Sequence, residues 1–173
     1  MSRFGGGPVR RNSDGSYSIR LDPTVRNLLA SVSEQVVPVM ESDDPATRRL
    51  FPPAYVGGDP DSARAERGYR DLVDGAMRNH HRTALDTLAS TATATTLSAE
   101  ELALWLSAIE TLRLIVGTRL DVTEDMVPPT ADDPSAPEYA LYDLLGMVQA
   151  AIIDALAAEL PEEGRPEGPE GLL

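Results

Sequence analysis

The segment from Ser98 to Leu120 constrains the fold most, because it predicts a helix that is apolar on nearly all sides. Ser98 and Glu101 have the spacing of a capping box, in which each side chain bonds a free backbone N–H of the first turn. The residues that follow fill the main stripe and most of the remaining circumference: Leu102, Leu104, Trp105, Leu106, Ala108, Ile109, Leu112, Leu114, Ile115 and Val116. A helix with this pattern is normally surrounded by other elements, so we expect it at the centre of a helical protein.

Further helices are predicted on both sides of this central one. One begins at Asp22-Pro23, a capping Asp followed by Pro in the first helical position, and Pro38 should kink or end it near its last turn. The longest is expected over residues 62–92, with His80 on its inner stripe. The last helix is expected from Pro137 to residue 160, where Pro161 stops it.

The chain should open with a short β-hairpin. Residues 8–11 and 16–21 are strand candidates around a turn at Asn12–Gly15, and Tyr17, Ile19 and Leu21 alternate onto one face. The fold class predicted is therefore mainly α, a compact bundle of about four to five helices with an N-terminal β-hairpin. Residues 1–160 are predicted to form a single domain, with residues 121–135 as a loop. The Pro/Glu/Gly composition of residues 161–173 predicts a disordered tail.

The composition excludes several classes of function. The net charge of −13 disfavours direct nucleic-acid binding, because an acidic protein repels phosphate backbones. The chain has no Cys, which rules out disulfides, a thiolate nucleophile and Cys-ligated metals. No stretch reaches about 18 uninterrupted apolar residues, and residues 1–7 lack the apolar run of a signal peptide. We therefore expect a cytoplasmic protein without a membrane contact.

No catalytic, cofactor or metal constellation is recognised. His80 and His81 are the only histidines, and adjacent residues on a helix point about 100° apart, so they do not readily chelate one metal. We interpret them as core or edge histidines. A helix-turn-helix interpretation of the region after Leu120 fails, because residues 123–129 are acidic and contain two prolines. The sequence thus predicts neither an enzyme nor a cofactor.

The end of the central helix leaves two interpretations open. Arg113 borders the buried stripe and needs partners, such as Glu110, Asp121 or a carboxylate of another element, because an unpaired buried charge is costly. Gly117 indicates either the close approach of another backbone or the beginning of helix termination. We favour a buried arginine network that locks helix packing. In the functional alternative, Arg113 and Arg119 are presented to an anionic ligand or to a partner's carboxylate.

Two segments resemble a known family. Residues 44–55 resemble the Asp-Pro…Arg-Leu-x-Pro-x-Ala-Tyr segment, and residues 105–120 the Trp…Leu-Arg-Leu-x-x-Gly-Thr-Arg-Leu signature, of a small actinobacterial family. That family is catalogued as domain of unknown function two-thousand-and-seventeen, and the resemblance covers about residues 4–160. The residues of these motifs form our candidate ligand, partner or structural arginine network: Arg48, Arg49, Tyr55, Trp105, Arg113, Thr118 and Arg119. We expect the two motifs to meet, with the Pro-rich segment wrapping the C-terminal end of the central helix.

The resemblance implies regulation rather than catalysis. Members are typically encoded near the adaptor of the Clp protease, and a role in transcriptional stress response has been attached to the family. Our leading hypothesis is a non-enzymatic regulatory or adaptor protein that offers its acidic surface to a basic protein partner of the transcription or Clp-protease machinery. The alternative is a small-anion or metabolite-sensing module that uses the Arg pairs, followed by a weakly active helical enzyme. A homodimer through the last helix is compatible with its long apolar stripe.

Overall fold

Helices dominate the computed structural model, which describes residues 7–42, 44–51, 60–69, 73 and 75–158. Within these residues the elements follow in this order: β1 (Val9–Arg11), β2 (Tyr17–Ile19), α1 (Pro23–Met40), a 3-10 helix (Pro45–Arg49), α2 (Pro60–Tyr69), α3 (Gly75–Thr91), β3 (Thr96–Leu97), α4 (Ala99–Arg119) and α5 (Ala136–Ala157). The mainly α fold and the N-terminal hairpin are confirmed. The predicted tail at 161–173 lies outside the described residues.

The predicted central helix is α4, and its start forms as expected. The Glu101 N–H donates to Ser98 Oγ at 3.1 Å, and the Ser98 N–H donates to Glu101 Oε2 at 2.8 Å, which completes the capping box. Nine α4 residues are buried, and the helix packs against α1, α3, α5 and the 3-10 helix. A helix contacted from so many sides needs apolar side chains around most of its circumference, as its sequence provides.

The hairpin is part of a three-stranded antiparallel sheet in the order β1-β2-β3. Tyr17 and Ile19 share the buried face as predicted, at 0% and 2% exposure. The sequence did not predict β3, where Thr96 pairs with Ser18 and Leu97 with Tyr17. β-branched Thr and a buried Leu suit a strand, but only the distant β2 decides that these residues pair.

The stretch predicted as one helix over 62–92 contains two described helices, α2 and α3, with Val73 in a π-helical turn between them. Residues 70–72 and 74 lie outside the described residues. The predicted inner stripe fails at His80, which is exposed, whereas His81 is half-buried. The core positions of α3 are Ala84, Leu85 and Leu88.

Helix α1 begins and ends as predicted, with one side chain that the sequence did not single out. Asp22 Oδ1 accepts from the Thr24 N–H at 2.8 Å, and Pro38 lies in the last turn. Arg26 is buried, and its acceptors within the described residues are all backbone carbonyls: Leu21 O at 3.0 Å, Ala94 O at 2.6 Å and Ile19 O. It therefore joins the start of α1 to β2 and to the segment before β3.

Helix α5 covers α4 with one face, on which Leu145, Val148, Ile152 and Ala155 are buried. The segment before it, from Asp121 to Ser135, contains no helix or strand, which confirms the predicted loop. By length and mean hydropathy, 1.5, α5 is the one described helix apolar enough to cross a membrane, although only 22% of that stretch is buried here. Length and composition alone are weak evidence for a span, because core helices of soluble proteins meet the same criterion.

Candidate functional site

A cleft of about 270 Å³ opens where α4, α5 and the 3-10 helix meet. We call it the arginine cleft, and its described lining consists of Arg49 from the 3-10 helix, Glu110, Arg113, Leu114, Gly117 and Thr118 from α4, Val122 from the following loop, and Tyr142 and Gln149 from α5. The described part of the first motif and the second motif therefore lie side by side. The segment 52–59, which includes Tyr55, lies outside the described residues.

Arg113 lies at the centre of the cleft, and its guanidinium donates hydrogen bonds to uncharged side chains. Its Nη1 donates to Gln149 Oε1 and its Nη2 to Tyr142 Oη at 3.2 Å, with Cζ 4.8 Å from the centroid of the Tyr142 ring. Among the described residues no carboxylate forms an ion pair with it, so the expected pairing with Glu110 or Asp121 was wrong. Its Nε is buried without a hydrogen-bond partner in the described part of the chain.

Gly117 makes room for a side chain rather than for a backbone. A Cβ at this position would lie 3.0 Å from Tyr142 Cε2, which is shorter than normal van der Waals contact. On the facing helix α5, a Cβ at Gly146 would lie 3.6 Å from Arg113 Cζ, which is an ordinary van der Waals distance. The absence of a side chain at Gly117 therefore lets the Tyr142 ring lie against α4, whereas the Arg113 guanidinium would leave room for a Cβ at position 146.

The α5 contribution was missed by the sequence analysis, although a signal was present. Tyr142, Gly146 and Gln149 recur at spacings of four and three, so they share one face of the helix. Gln149 is a lone amide within an otherwise apolar stretch of α5. A polar residue in such a place requires a hydrogen-bond partner, and Arg113 supplies it.

Arg119 belongs to a structural contact beside the cleft. Its Nη2 lies 3.1 Å from Asp44 Oδ2, and Asp44 Oδ1 accepts from the Ala46 N–H at 2.8 Å at the start of the 3-10 helix. The Ala46 N–H, followed by Arg119, lowers the pKa of Asp44 below its ordinary value. Arg119 thereby fastens the last turn of α4 to the segment that carries Arg49.

The remaining predicted residues have separate positions. Trp105 is fully buried outside the cleft, with Nε1 donating to Thr91 Oγ1 at 2.8 Å, which makes it a core residue. Thr118 lines the cleft, but its hydroxyl donates to Leu114 O at 2.7 Å. Arg48 lies in the 3-10 helix, and its side chain is outside the described part of the structure.

The two histidines lie on the α3–α4 contact. The Thr111 hydroxyl donates to Ser107 O at 2.8 Å, so it accepts the bond from His81 Nδ1 at 2.9 Å, and His81 carries its proton on Nδ1. His80 Nε2 lies 3.0 Å from Ser107 Oγ. Burial, with a smaller effect of the His80 charge, lowers the pKa of His81. No group of three or more metal-ligating side chains is found within the described residues.

The chemistry available in the arginine cleft is that of anion binding. Arg49 and Arg113 provide charge, and Arg113 still has unused N–H groups. The Gln149 amide nitrogen adds a neutral donor, because Oε1 is the atom that accepts from Arg113. Glu110 is the negative group in the described lining.

Comparison with known proteins identifies a family and nothing more specific. No curated protein and no solved structure matches the chain significantly. The family model described as Domain of unknown function (DUF2017) matches residues 6–156, from the approach to β1 to the last turn of α5. That range includes the 3-10 helix, the end of α4 and the α5 residues of the cleft, and on this match the chain belongs to the DUF2017 family.

Proposed function

We propose that this chain is a non-enzymatic regulatory or adaptor protein that binds another protein through the outward side of α5. The observation that carries the proposal is a run of exposed residues at alternating spacings of three and four, which we call the α5 face: Ala140, Asp143, Met147, Ala150, Asp154 and Ala157. This spacing is the one that helices use to pack against a partner helix. Met147 is 58% exposed, and the neighbouring Ile153 is 45% exposed.

A groove of about 630 Å³ runs between the α5 face and β1, and it favours a protein occupant. Met147, Ala150 and Asp154 line its helical side, and Pro8 to Arg11 line the other. β1 is the terminal strand of the described sheet, and exposed strand edges and apolar helix faces are common binding sites for segments of other chains.

The charges on the α5 face favour a basic partner. Asp143 and Asp154 form no ion pair within the described residues, and the whole chain has a net charge of −13. They are eleven residues apart, about 16.5 Å along the helix. Two copies of α5 packed antiparallel about the middle of the face would place Asp143 opposite Asp154, and parallel packing would place each Asp opposite itself. Because aspartates of the two copies would repel each other in both arrangements, the α5 face is better suited to a different protein than to a second copy of this chain.

The regulatory part of the proposal is supported by the family resemblance. That resemblance points to transcriptional stress response and to the Clp protease, so components of these systems are the first partners to test. An apolar segment with Arg or Lys residues spaced to reach Asp143 and Asp154 is the feature to seek in them.

The experiment measures binding of a purified partner to the full chain and to two matched variants. Crosslinking in a native extract identifies the partner, whose affinity is then measured at low and high salt. Met147→Asp places a charge in the α5 face, whereas Leu28→Asp makes the same change at another exposed apolar residue, which is 40% exposed on α1.

We expect Met147→Asp to weaken binding at least tenfold and Leu28→Asp to leave it unchanged, because a charge at the centre of an apolar contact is not solvated. Added salt should slow association with a basic partner. Equal binding by both variants, association with lipid vesicles instead of a protein, or concentration-dependent dimers lost only in Met147→Asp would each contradict the proposal.

A further inference from the structure

We propose that the arginine cleft binds a small organic carboxylate, and that this binding is separate from the protein contact on α5. Tyr142 and Gln149 lie about 120° around the α5 axis from the centre of the α5 face, so the two surfaces do not coincide. A ligand in the cleft would contact α4, α5 and the 3-10 helix together.

The first argument is the pairing of charges. The chain has 28 acidic and 15 basic residues, so a carboxylate partner is abundant for every arginine. Arg113 is nevertheless half-buried with only an amide and a phenol as described hydrogen-bond partners, and no described ion pair involves Arg49 on the same cleft. Arg119, a few residues further along α4, does pair with a carboxylate. An arginine charge near a cleft and without a carboxylate is available to an external anion.

The second argument counts donors. Nη1 and Nη2 of Arg113 each make one described hydrogen bond and each carry a second N–H, while the buried Nε faces the packed side at Gly146. Arg49 and the amide nitrogen of Gln149 add further donors. Carboxylate oxygens accept several hydrogen bonds, and planar guanidinium groups match their geometry.

The third argument concerns size and charge, which favour one carboxylate over a phosphate group. The two arginines are partly offset by Glu110, so the described lining has a net charge of about one positive unit. A doubly charged phosphate would exceed this charge within a strongly acidic protein, whereas a carboxylate matches it. At about 270 Å³ the cleft is at the lower limit of ligand pockets, which suits a small metabolite.

The test uses the purified full chain without any protein partner. Small carboxylates, including amino acids and hydroxy acids, and inorganic phosphate are screened by thermal shift, and the Kd of each hit is measured by calorimetry at constant ionic strength. Arg49→Gln removes an exposed cleft arginine, and Arg20→Gln removes an exposed arginine elsewhere. Arg113→Gln is made as well, but Arg49→Gln decides the outcome if Arg113→Gln does not fold.

We expect at least one carboxylate to raise Tm by roughly 5 °C or more at a hundredfold excess over its Kd. Arg49→Gln should weaken this binding about tenfold, and Arg20→Gln should not change it. The proposal is overturned if no carboxylate binds saturably or if phosphate alone binds. It is also overturned if Arg49→Gln and Arg20→Gln lose affinity for the carboxylate equally. None of these results depends on the α5 contact, so failure of the two proposals can be distinguished.

Discussion

At the scale of single residues, Arg113, Gly117 and Tyr142 depend on one another. The Tyr142 ring lies beside Gly117 because no Cβ intervenes, and from there it contacts the Arg113 guanidinium through its hydroxyl and its face. A cation held by an aromatic face and neutral acceptors keeps more of its charge available than a cation paired with a carboxylate. The same three residues thus stabilise the α4–α5 contact and line the cleft.

Gly117→Val is expected to destabilise the protein by about 2 kcal/mol, because its side chain would overlap the Tyr142 ring and force it out of place. Chemical denaturation measures the change. Gly68→Ala is the control: a Cβ there meets nothing within 4 Å, so the better helix propensity of alanine should leave stability equal or raise it by about 0.5 kcal/mol. Equal losses in both variants would show that the ring does not require the glycine.

Thr91→Val is expected to cost about 1–3 kcal/mol, because it leaves the buried Trp105 N–H without its acceptor while nearly preserving the volume of the side chain. Trp105 is the single tryptophan, so its fluorescence follows unfolding directly. Thr87→Val alters a neighbouring threonine whose described hydroxyl bond goes to the Thr83 carbonyl of its own helix, and it should cost less. A Thr91→Val variant as stable as the parent would contradict the bond's importance.

At the scale of elements, helix starts could be predicted from the sequence because their caps are local. The pairing of segments that are distant along the chain could not be predicted. The caps at Asp22 and Ser98 lie within a few residues of the N–H groups that they bind, so both helix starts were predicted correctly. β3 exists because Leu97 pairs with Tyr17, eighty residues earlier, and no local sequence pattern indicates such a distant pairing. The cleft follows the same rule. Its α4 residues came from one recognisable segment, whereas Tyr142 and Gln149 join it through helix packing.

Arg26→Met is expected to destabilise the protein by about 2–4 kcal/mol, because three backbone carbonyls lose a charged donor while the apolar part of the side chain is kept. Hydrogen exchange should then show the greatest loss of protection in β2 and in the segment before β3, which Arg26 joins to α1. Arg20→Met, at an exposed position, should change neither quantity. Uniform loss of protection across all helices would indicate a general effect rather than a local anchor.

At the scale of the whole molecule, acid should act on stability in two separate ranges. Three aspartates have a pKa held below the ordinary value of 3.8, in each case chiefly by hydrogen bonds from the backbone or side chain of a nearby residue: Asp14, Asp44 and Asp133. An acid whose pKa is lower in the folded state stabilises above its unfolded pKa and loses that contribution as the pH falls further. The stabilising contribution of these aspartates is therefore lost only below about pH 4.

Just below pH 7 the dependence should come from His81. Burial, then the nearby His80 charge, lowers the pKa of His81 below 6.5, so the unfolded chain binds the proton more strongly than the folded one. Stability should be constant above about pH 7 and fall as the pH drops through 6.5, with a slope below about 1.4 kcal/mol per pH unit. His81→Gln should flatten this part of a Tm–pH profile, while His80→Gln should retain a smaller fall, because desolvation of His81 remains. A profile that is flat in the parent, or as steep in His81→Gln as in the parent, would place the dependence on another group.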